Sequence, residues 1–532
     1  MQPLDKTLRA KLERTIKTAR DIAEDAARAA LEQLGVGEPN AFAHLSEPER
    51  QLRRELRIHG RQLGDSLNGG KTQSMDRLVE EVAYEHWHRM LFARFLAENN
   101  LLMYPDPDAP VAVTLEECED LAPDEGAANG WELASRYAAR MLPQIFRFDS
   151  PVFQLTLPPE HQHRLERLLA DLSLEVFTAS DSLGWVYQFW QAKKKEEVNA
   201  SEVKIGAREL PSVTQLFTEP YMVSFLLDNS LGAWWVKQLS VGSNQFAVNA
   251  RTLLQSAQSE DELRAFFSRP GLPLEYLRFV KTSSSTLITD NFFDGEHWMP
   301  AAGWFLEWPD HLGELKTLDP CCGSGHFLVA ALLMLVAMRM ELEGLSARDA
   351  VDAVLRQNIH GLELDQRCVE LAAFALALTS WKYPEAGGYR LLPELQVACS
   401  GLSISVKREE WLALAGKDTT LSQALGELYT HFSDAPVLGS LINPELSLRK
   451  NDLFEQKRED VRSVLATALE GEKNDESIEM AVVAQGLAKA ATLLGDKYHW
   501  VITNVPYLAR GKQSDSLRLF CEKHYPEAKN DL

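Results

Sequence analysis

Residues 318–328 read L-D-P-C-C-G-S-G-H-F-L, where a short apolar run gives way to a helical pattern. Gly323 and Gly325 let the backbone turn tightly and approach a ligand without an intervening Cβ. The N–H groups that open the following helix carry partial positive charge, and Asp319 places an anion beside the same turn. This combination suits a ligand that carries an ammonium group, a carboxylate and a nucleoside.

Other interpretations of this turn are weaker. A dinucleotide-binding G-x-G-x-x-G sequence would need glycine at position 328, where the chain has leucine. A tight strand-to-helix turn without a ligand stays open as the plain structural alternative. Cys321 and Cys322 are interpreted as small packed side chains rather than as a redox or metal pair. The six cysteines of the chain are scattered and form no Cys-x-x-Cys pair, which suits a reducing cytosol.

An acidic pair follows in the run I-H-G-L-E-L-D at 359–365. In a doubly wound sheet the second strand ends beside the first loop, and an acidic residue there accepts hydrogen bonds from ribose hydroxyls. Glu363 fits that position. Asp365 could assist it, or could cap the helix that begins at Gln366, and both roles stay open.

The elements that must position these groups alternate between strand and helix. Short β-type runs are predicted at 315–318, 358–362, 395–398 and 498–503, with long helices at 326–343 and 366–381. This alternation predicts an α/β fold with a parallel sheet and helices on both faces. The segment 408–497 is mostly helix-like and polar, and it is interpreted as a helical insertion.

Residues 1–205 are predicted to form a mainly α-helical N-terminal domain, and residues 206–532 the ligand-binding domain. Apolar residues recur at spacings of three and four through 8–34 and 75–102. Residues 101–150 are richer in Pro, Asp and Gly and are interpreted as a connector.

The composition is that of an ordinary globular protein, with 45% hydrophobic and 25% charged residues over 532 positions. Two or three domains are expected at this length. The apolar run Phe327–Met338 is too short to span a bilayer and no signal peptide is seen, so no membrane contact and a cytoplasmic location are predicted. The net charge of −22 argues against a generic nucleic-acid binder, although a local basic patch or a second chain could supply the cations.

Three further patterns are interpreted as ordinary surface features. K-K-K-E-E at 193–197 is expected to be a solvated turn or helix end, with a DNA-phosphate contact as the minority alternative. H-W-H at 86–88 and H-Q-H at 161–163 lack the H-E-x-x-H spacing and a third ligand nearby. Both pairs are interpreted as helix-surface histidines, and no metal site is predicted.

Three motifs carry a resemblance to a known family. D-P-C-C-G-S-G at 319–325 is similar to the D-P-A-C-G-S-G loop of S-adenosylmethionine-dependent DNA adenine-N6 methyltransferases, and N-V-P-Y at 504–507 resembles their catalytic N-P-P-Y motif. T-Q-L-F-T-E-P-Y-M-V at 214–223 is similar to their T-Q-x-F-T-P element. The order of the motifs resembles the gamma class. The run L-G-W-V-Y-Q-F-W-Q and the helical N-terminal region look most like the large methyltransferases of the DISARM and BREX phage-defence systems.

The resemblance implies a Rossmann-like doubly wound methyltransferase sheet that uses S-adenosyl-L-methionine and acts on double-stranded DNA with a flipped adenine. It implies that the cofactor is contacted by Phe217, Thr218, Asp319, Pro320, Gly323, Gly325, Glu363 and Asp365. It implies that catalysis depends on Asn504, Pro506 and Tyr507. The residue that meets the cofactor adenine stays open between Asp452, which could instead cap a helix, and the pair Ser400–Gly401.

The implied mechanism makes physical sense of the catalytic motif. As the adenine amine attacks the sulfonium methyl, positive charge grows on its nitrogen, and the Asn504 oxygen with a nearby backbone carbonyl can accept its N–H bonds. Pro506 keeps the loop rigid, and the flipped base can stack on Tyr507. Val505 departs from the pattern, which has proline there, and Glu219 stands where the family usually has proline.

Only 25 residues follow Tyr507, fewer than the remaining strands of such a sheet need. The sheet is therefore expected to be incomplete after the catalytic motif, with a missing C-terminal target-recognition region or other defence-system subunits as partners. Weak cofactor binding and little methylation are expected of this chain alone. Two alternatives stay open: a catalytically weak scaffold subunit of a defence complex, and an N-methyltransferase acting on RNA or protein. Residues 1–150 show no P-D-(D/E)-x-K nuclease signature.

Overall fold

A computed structural model gives the structure of the chain and describes residues 3–527 with some gaps. The positions left out within that range are 70, 107–109, 144, 146–149, 202, 208, 215–216, 284–285, 289–290, 294, 405, 444–474 and 506. Over the described residues the chain is a mixed α/β protein, mostly helical, with one four-stranded parallel sheet and several two-stranded antiparallel ladders.

Helices make up most of the first two hundred residues. They are α1 (Lys6–Gln33), α2 (Glu47–Leu63), α3 (Asp76–Glu98), α4 (Leu115–Leu121), α5 (Gly130–Met141), α6 (Pro151–Gln154), α7 (Pro159–Ala170), α8 (Leu174–Thr178) and α9 (Ser182–Ser201). The two long helices predicted from apolar spacing are confirmed as α1 and α3. Asp5 begins α1, because its side chain accepts the N–H groups of Thr7 and Leu8.

The second part of the chain adds shorter helices and the helices that cover the sheet. They are α10 (Leu210–Thr214), α11 (Pro220–Leu227), α12 (Ala233–Ser240), α13 (Gln245–Ser256), α14 (Glu260–Phe267), α15 (His326–Glu343), α16 (Ala347–Gln357), α17 (Gln366–Lys382), α18 (Arg408–Ala413), α19 (Thr419–Phe432), α20 (Ala435–Leu438), α21 (Asp475–Leu494) and α22 (Asp515–His524). The helices predicted at 326–343 and 366–381 are confirmed as α15 and α17.

The strands fall into one sheet and four ladders. The ladders pair β1 (Leu67–Asn68) with β2 (Thr72–Gln73), β3 (Met103–Tyr104) with β4 (Val111–Ala112), β5 (Phe279–Thr282) with β8 (His297–Pro300), and β6 (Thr286–Ile288) with β7 (Asn291–Phe293). The sheet contains β9 (Thr317–Asp319), β10 (Ile359–Glu363), β11 (Val397–Cys399) and β12 (Trp500–Val501). These four strands confirm the four β-type runs predicted from the sequence.

The sheet is parallel throughout and its order is β11-β10-β9-β12. Thr317 lies opposite Ile359 on one side and Trp500 on the other, and Gly361 lies opposite Val397. The strand order reverses at β9, so the loops after β9 and β12 leave neighbouring strands at the same edge.

Both faces of the sheet are buried, as the alternation of strands and helices predicted. Val397 and Cys399 belong to the cluster that contains α15 and α17. Ala398, between them, belongs with Leu318 and Leu362 to a second cluster that contains α19 and α21. Because helices cover both faces, every residue of β9 and β10 is buried, including the polar residues Thr317, His360 and Glu363.

The helical region and the sheet share one core. The rings of Phe92 in α3 and Phe374 in α17 stack with centroids 3.7 Å apart. The Tyr84 hydroxyl donates to the Arg367 carbonyl at 3.3 Å. One buried cluster contains residues from α1, α3, α9, α15 and α17. The predicted boundary near residue 205 is therefore crossed by extensive packing.

Residues 101–150 are not a plain connector, because they contain α4 and α5. The Thr114 hydroxyl accepts the Glu117 N–H at 3.1 Å, and the Glu117 carboxylate accepts the Thr114 N–H at 2.7 Å. Asn129 begins α5 by accepting the Glu132 N–H at 2.9 Å. The Pro- and Gly-rich stretches lie only in front of these helices, so the connector prediction was wrong where caps start them.

Two surface predictions also need correction. His86 and His88 are 6% and 1% exposed, because almost every face of α3 packs against other elements. The K-K-K-E-E run lies in the second half of α9, where Lys193, Glu196 and Glu197 are exposed as predicted. Lys194 departs from the prediction, because it pairs with Glu80 at 2.7 Å and its side chain is 13% exposed.

The segment 408–497 is helical where it is described, as predicted. Its last helix, α21, packs directly on β10 and β11 and leads into β12. This helix therefore belongs to the layer that covers the sheet rather than to a separate insertion. Over the described residues, no helix combines the length and apolar content needed to cross a membrane.

Candidate functional site

The glycine loop joins β9 to α15 and depends on left-handed backbone. Gly323 and Gly325 have φ of +53° and +80°. A Cβ on Gly325 would lie 2.9 Å from the Ala372 Cα, so this glycine allows the loop to pack on α17. A Cβ on Gly323 would meet no described atom within 4 Å. The first glycine thus keeps a space open and the second holds the loop in place.

A cavity of about 280 Å³ lies beside this loop, at the edge where β9, β10 and β12 end. Six of the residues predicted from the sequence lie in its wall: Phe217, Thr218, Pro320, Gly323, Glu363 and Asn504. These residues come from four distant segments of the chain. The fold therefore brings the glycine loop, the acidic second strand, the T-Q-x-F-T element and the start of N-V-P-Y into one place.

Asn504 follows β12 and lies at the mouth of the cavity. Its Nδ2 donates to the Thr218 Oγ1 at 3.1 Å. Because the nitrogen and oxygen of a carboxamide diverge, this bond turns Oδ1 away from Thr218. The side chain is thus oriented by a residue nearly three hundred positions earlier, and its acceptor stays available for another group.

Glu363 ends β10 and is the carboxylate in the cavity wall. Its Oε2 accepts the Gly323 N–H at 2.8 Å and its Oε1 accepts the Leu364 N–H at 2.8 Å. Burial raises the pKa of Glu363 to about 7, although these N–H groups oppose the rise. A carboxylate can accept about four hydrogen bonds, so Glu363 can still accept hydrogen bonds from the hydroxyl groups of a ligand.

Asp319 lies behind the wall rather than in it and is 1% exposed. Its Oδ1 accepts the Cys321 N–H at 3.1 Å. Its Oδ2 is buried without a well-formed hydrogen bond to any described residue, although the Thr503 hydroxyl is close by. Burial raises the pKa of Asp319 to about 7. The direct ligand contact expected of Asp319 is replaced by a supporting role, because its side chain turns back to hold the loop.

Asp365 also lies outside the wall and caps α17. Its Oδ1 accepts the Arg367 N–H at 3.1 Å, and its Oδ2 pairs with the Arg367 guanidinium at 2.7 Å. Its Oδ2 also accepts the Tyr187 hydroxyl. Although burial favours the neutral acid, Arg367 lowers the pKa of Asp365 below its usual value. Of the two roles left open, the structure shows the cap.

The remaining predicted residues lie either outside the wall of the cavity or outside the described residues. Tyr507 is 77% exposed and lies outside the wall, with its ring free in solvent. Pro506 and Asp452 lie outside the described residues. Ser400 is fully buried, and its N–H donates to the Glu363 carbonyl at 2.8 Å. Neither Ser400 nor Gly401 lies in the wall of this cavity.

One wall of the cavity is formed by α9, for which no site residue was predicted from the sequence. Gly184, Tyr187 and Gln188 line the cavity, and the Gln188 Oε1 accepts the Phe217 N–H at 2.9 Å. A Cβ on Gly184 would lie 2.0 Å from the Phe217 ring. The signal was the run L-G-W-V-Y-Q-F-W-Q, whose aromatic residues and small glycine indicate close packing on more than one face.

Residues 437–441 form a second wall of the cavity that was not predicted from the sequence. They follow the start of α20. The Ser440 hydroxyl donates to the Pro320 carbonyl of the glycine loop. A Cβ on Gly439 would lie 2.8 Å from a methyl carbon of Leu364. This wall belongs to the stretch interpreted as an insertion, and its sequence A-P-V-L-G-S-L carries no pattern that points to a ligand.

Comparisons with known proteins agree with the motifs. The family model for the DNA-methyltransferase domain of MmeI matches residues 301–388, which include the glycine loop and β10. The adenine-specific methyltransferase PglX of Lacticaseibacillus casei (strain Zhang) is 24% identical over 92% of this chain and 40% of its own length. The adenine-specific methyltransferase BrxX of Escherichia coli O9:H4 (strain HS) is 24% identical over 93% of this chain and 41% of its own length.

A third relative matches a shorter stretch. The adenine-specific methyltransferase PglX of Streptomyces coelicolor is 37% identical over 82 residues, which are 15% of this chain and 6% of its own length. The chain thus spans about two fifths of the length of the two relatives that it matches from end to end. The resemblance drawn from the three motifs is confirmed, and this chain is similar over most of its length to adenine-specific methyltransferases of the PglX and BrxX type.

Proposed function

We propose that this chain carries the cofactor site and catalytic motif of an S-adenosylmethionine-dependent DNA adenine-N6 methyltransferase, which marks host DNA as self in a phage-defence or restriction-modification system. One observation carries the proposal: Asn504, Thr218, Gly323 and Glu363 meet at one cavity. In the proposed division, residues 206–532 form the methyltransferase domain, and α9 of the helical N-terminal domain closes one side of its site.

The strand order supports a Rossmann-like doubly wound sheet. Numbered along the chain, the strands lie in the order third, second, first, fourth. In open sheets of this kind, ligands bind where the order reverses, outside the carboxyl ends of the strands. The cavity lies at that point, between the loops that follow β9 and β12.

The cavity fits S-adenosyl-L-methionine by the chemistry of its wall. Glu363 would accept the ribose hydroxyls, and the N–H groups that open α15 would face the carboxylate. The open space at Gly323 lets the ligand approach the backbone. The buried Asp319 carboxyl group behind the loop would ionise when the ammonium group of the ligand is bound. Val437–Leu441 would cover the adenine, in place of Ser400–Gly401 or Asp452.

The catalytic chemistry follows from Asn504. S-adenosylmethionine, when bound, would supply an electrophilic methyl group, whose bond to sulfur breaks as its bond to the adenine nitrogen forms and S-adenosylhomocysteine is left. The Asn504 Oδ1 accepts an N–H of the target adenine amine and stabilises the positive charge that develops on its nitrogen, and Thr218 holds the carboxamide in that orientation. Tyr507, exposed beside the mouth of the cavity, offers a ring for a flipped base. The amine proton then passes to solvent.

The proposed substrate is double-stranded DNA. With a net charge of −22, the chain is poorly suited to hold a duplex alone, since phosphate contacts need clustered cations. Recognition of the DNA sequence is therefore assigned to further polypeptide, either a target-recognition region or other defence-system subunits.

Methylation in the cell tests this function. The wild-type gene in its complete system should give N6-methyladenine at one sequence motif of host DNA. Asn504→Ala should abolish that mark while binding of S-adenosylmethionine by the purified protein persists. Asn249→Ala, an exposed asparagine of α13 far along the chain from the motif, is the matched control and should leave methylation unchanged.

A scaffold function is the second candidate, because Val505 replaces a proline of the catalytic motif and is 60% exposed. A scaffold would give the same host methylation and the same phage protection in wild type and Asn504→Ala. An RNA or protein methyltransferase would leave host DNA unmarked in every strain, while labelled methyl groups from the cofactor would appear in RNA or protein.

A further inference from the structure

A second cluster of functional side chains lies between α3 and α17, away from the cofactor cavity. Glu85, His88 and Glu370 each offer one ligand atom, and the three atoms lie within 4.8 Å of one another. The His88 Nδ1 is 3.7 Å from the Glu370 Oε2. The three residues are 7%, 1% and 7% exposed. The cluster is therefore inside the protein, where an unneutralised charge is costly.

The spacing of these residues suits metal coordination. Glu85 and His88 are three positions apart, so they lie on the same face of α3. A Glu-x-x-His pair on one helix with a glutamate from a facing helix is the arrangement that carboxylate metal sites use in helical bundles. The sequence predicted no metal site at His88, because the third ligand, Glu370, comes from a distant part of the chain.

The two carboxyl groups of the cluster are buried side by side. Glu370 Oε1 accepts the Gln366 Nε2 at 3.3 Å, while its Oε2 is buried and faces the Glu85 carboxyl group and the His88 ring. Two negative charges at this depth would be costly without a cation between them. His88 is buried beside the carboxyl groups, with its Nδ1 facing Glu370, so an imidazole nitrogen is within reach of the same point.

The two arginines near Glu85 have other partners. The Arg367 guanidinium binds Asp365 at 2.7 Å, and the Arg89 guanidinium lies over the Phe153 ring at 4.8 Å and also near Glu132. A cation bound between Glu85 and Glu370 would place positive charge at the two carboxyl groups themselves.

An entry path exists. Glu85 and Glu370 line a cavity of about 1240 Å³, whose other walls come from α2, α17 and α21. A metal held by two carboxylates and one imidazole would keep further coordination positions open toward this space. Oxygen and imidazole ligands together suit Zn²⁺, Mn²⁺ and Fe²⁺, with ligand distances of about 2.0–2.2 Å for zinc. Because the three ligand atoms lie within 4.8 Å of one another, side-chain movements of less than about 1 Å would bring them to such distances from one ion.

We propose that Glu85, His88 and Glu370 bind one divalent transition-metal ion, which fastens the helical region to the methyltransferase sheet. The ion would join α3 to α17 at the contact that Phe92 and Phe374 also form. This inference concerns a structural site and does not depend on the proposed methyl transfer.

Metal content and thermal stability of the full chain test the proposal. Untagged protein is stripped with a chelator, desalted, and loaded separately with Zn²⁺, Mn²⁺ or Fe²⁺, the last without oxygen. Elemental analysis after a second desalting should find one ion per chain for at least one metal, together with a higher Tm. Mn²⁺ binding should also remove the free-ion signal in electron paramagnetic resonance.

Variants locate the site. Glu370→Gln and His88→Asn should lose both the bound ion and the metal-dependent rise in Tm. Glu98→Gln, a carboxylate at the end of α3 that pairs with Arg94, and His163→Asn, an exposed histidine, should keep both. If a ligand variant fails to fold, X-ray absorption of the loaded wild type decides, and one imidazole with only oxygen ligands besides is expected.

Two results would overturn the proposal. A wild-type protein that retains none of the three metals and shows no change in Tm would mean that Glu85 and Glu370 share a proton. Retention of the ion by Glu370→Gln and His88→Asn, or sulfur ligands in the absorption spectrum, would place the metal elsewhere.

Discussion

At the scale of the residue, the site depends on which groups reach the cavity. Asn504, Glu363 and Gly323 could be predicted from the sequence, because each belongs to a local motif and their strands end at one edge of the sheet. The roles of Asp319 and Asp365 could not, since they are set by where each side chain turns. Asp365 binds Tyr187, which comes from α9 nearly two hundred positions earlier.

Replacing Glu363 tests the carboxylate in the wall. Glu363→Gln places an NH₂ group where one oxygen now accepts a backbone N–H, and it removes the charge that would accept ribose hydroxyls. We expect the affinity for S-adenosylmethionine to fall roughly 10- to 100-fold, the usual effect of losing hydrogen bonds to a charged group. Isothermal titration calorimetry measures it, with Glu341→Gln on α15 as the control. Equal affinities for Glu363→Gln and wild type would contradict the assignment.

The two raised pKa values predict how stability depends on pH. Asp319 and Glu363 hold a proton up to about pH 7 in the folded protein, whereas their ordinary values are 3.8 and 4.5. The folded state therefore binds more protons than the unfolded state between these limits, and the contribution of both groups to stability falls as pH rises from about 4 to 7. Urea midpoints between pH 5 and 8 should decline less steeply in Glu363→Gln. If the urea midpoint of Glu363→Gln fell with pH as steeply as that of wild type, the protonation of Glu363 would not contribute to the pH dependence of stability.

At the scale of the element, periodicity predicted α1, α3, α15 and α17, and the short apolar runs predicted the strands of the sheet. The short helices α4 and α5 were not predicted in residues 101–150. Their starts are fixed by the capping side chains of Thr114 and Asn129 rather than marked by a long apolar repeat. The placement of α9 against the cavity beside the glycine loop could not be predicted either. Gly184 and Gln188 of α9 contact Phe217, and no local sequence pattern shows that these two segments meet.

Gly184 tests the wall that α9 provides. A Cβ at this position would lie 2.0 Å from the Phe217 ring, so Gly184→Ala must displace the ring or the helix. We expect the affinity for S-adenosylmethionine to fall roughly tenfold or more, with stability lowered by about 1–3 kcal/mol, as overpacking usually costs. Gly511→Ala is the control, because a Cβ there meets no described atom within 4 Å. Normal cofactor binding by Gly184→Ala would show that α9 does not shape the site.

At the scale of the whole molecule, the sequence predicted a domain boundary near residue 205. Buried side chains from both sides of that position pack in one core. A change of composition marks a change of secondary structure, but it does not show whether two regions share a core. The stacked rings of Phe92 and Phe374, and the Tyr84 bond to Arg367, join the helical region to the sheet. The two regions should therefore unfold together.

Phe374→Ala tests this shared core. Loss of a large buried ring should lower the free energy of unfolding by about 3–5 kcal/mol. Because the ring contacts both regions, far-ultraviolet circular dichroism and tryptophan fluorescence should report one shifted transition. Phe520→Ala on α22, which is partly exposed, should have a smaller effect. Two separate transitions in the wild type would contradict the shared core.

The central claim is that distant segments of the chain form one cofactor site. Hydrogen–deuterium exchange of the full chain, with and without S-adenosylhomocysteine, tests it most directly. We expect slower exchange in three separate peptides, around 182–190, 320–328 and 500–508, which contain residues of α9, the glycine loop and the N-V-P-Y motif. Unchanged exchange in the peptide around Asn504 while the glycine loop is protected would contradict it, and so would protection confined to segments outside the cavity.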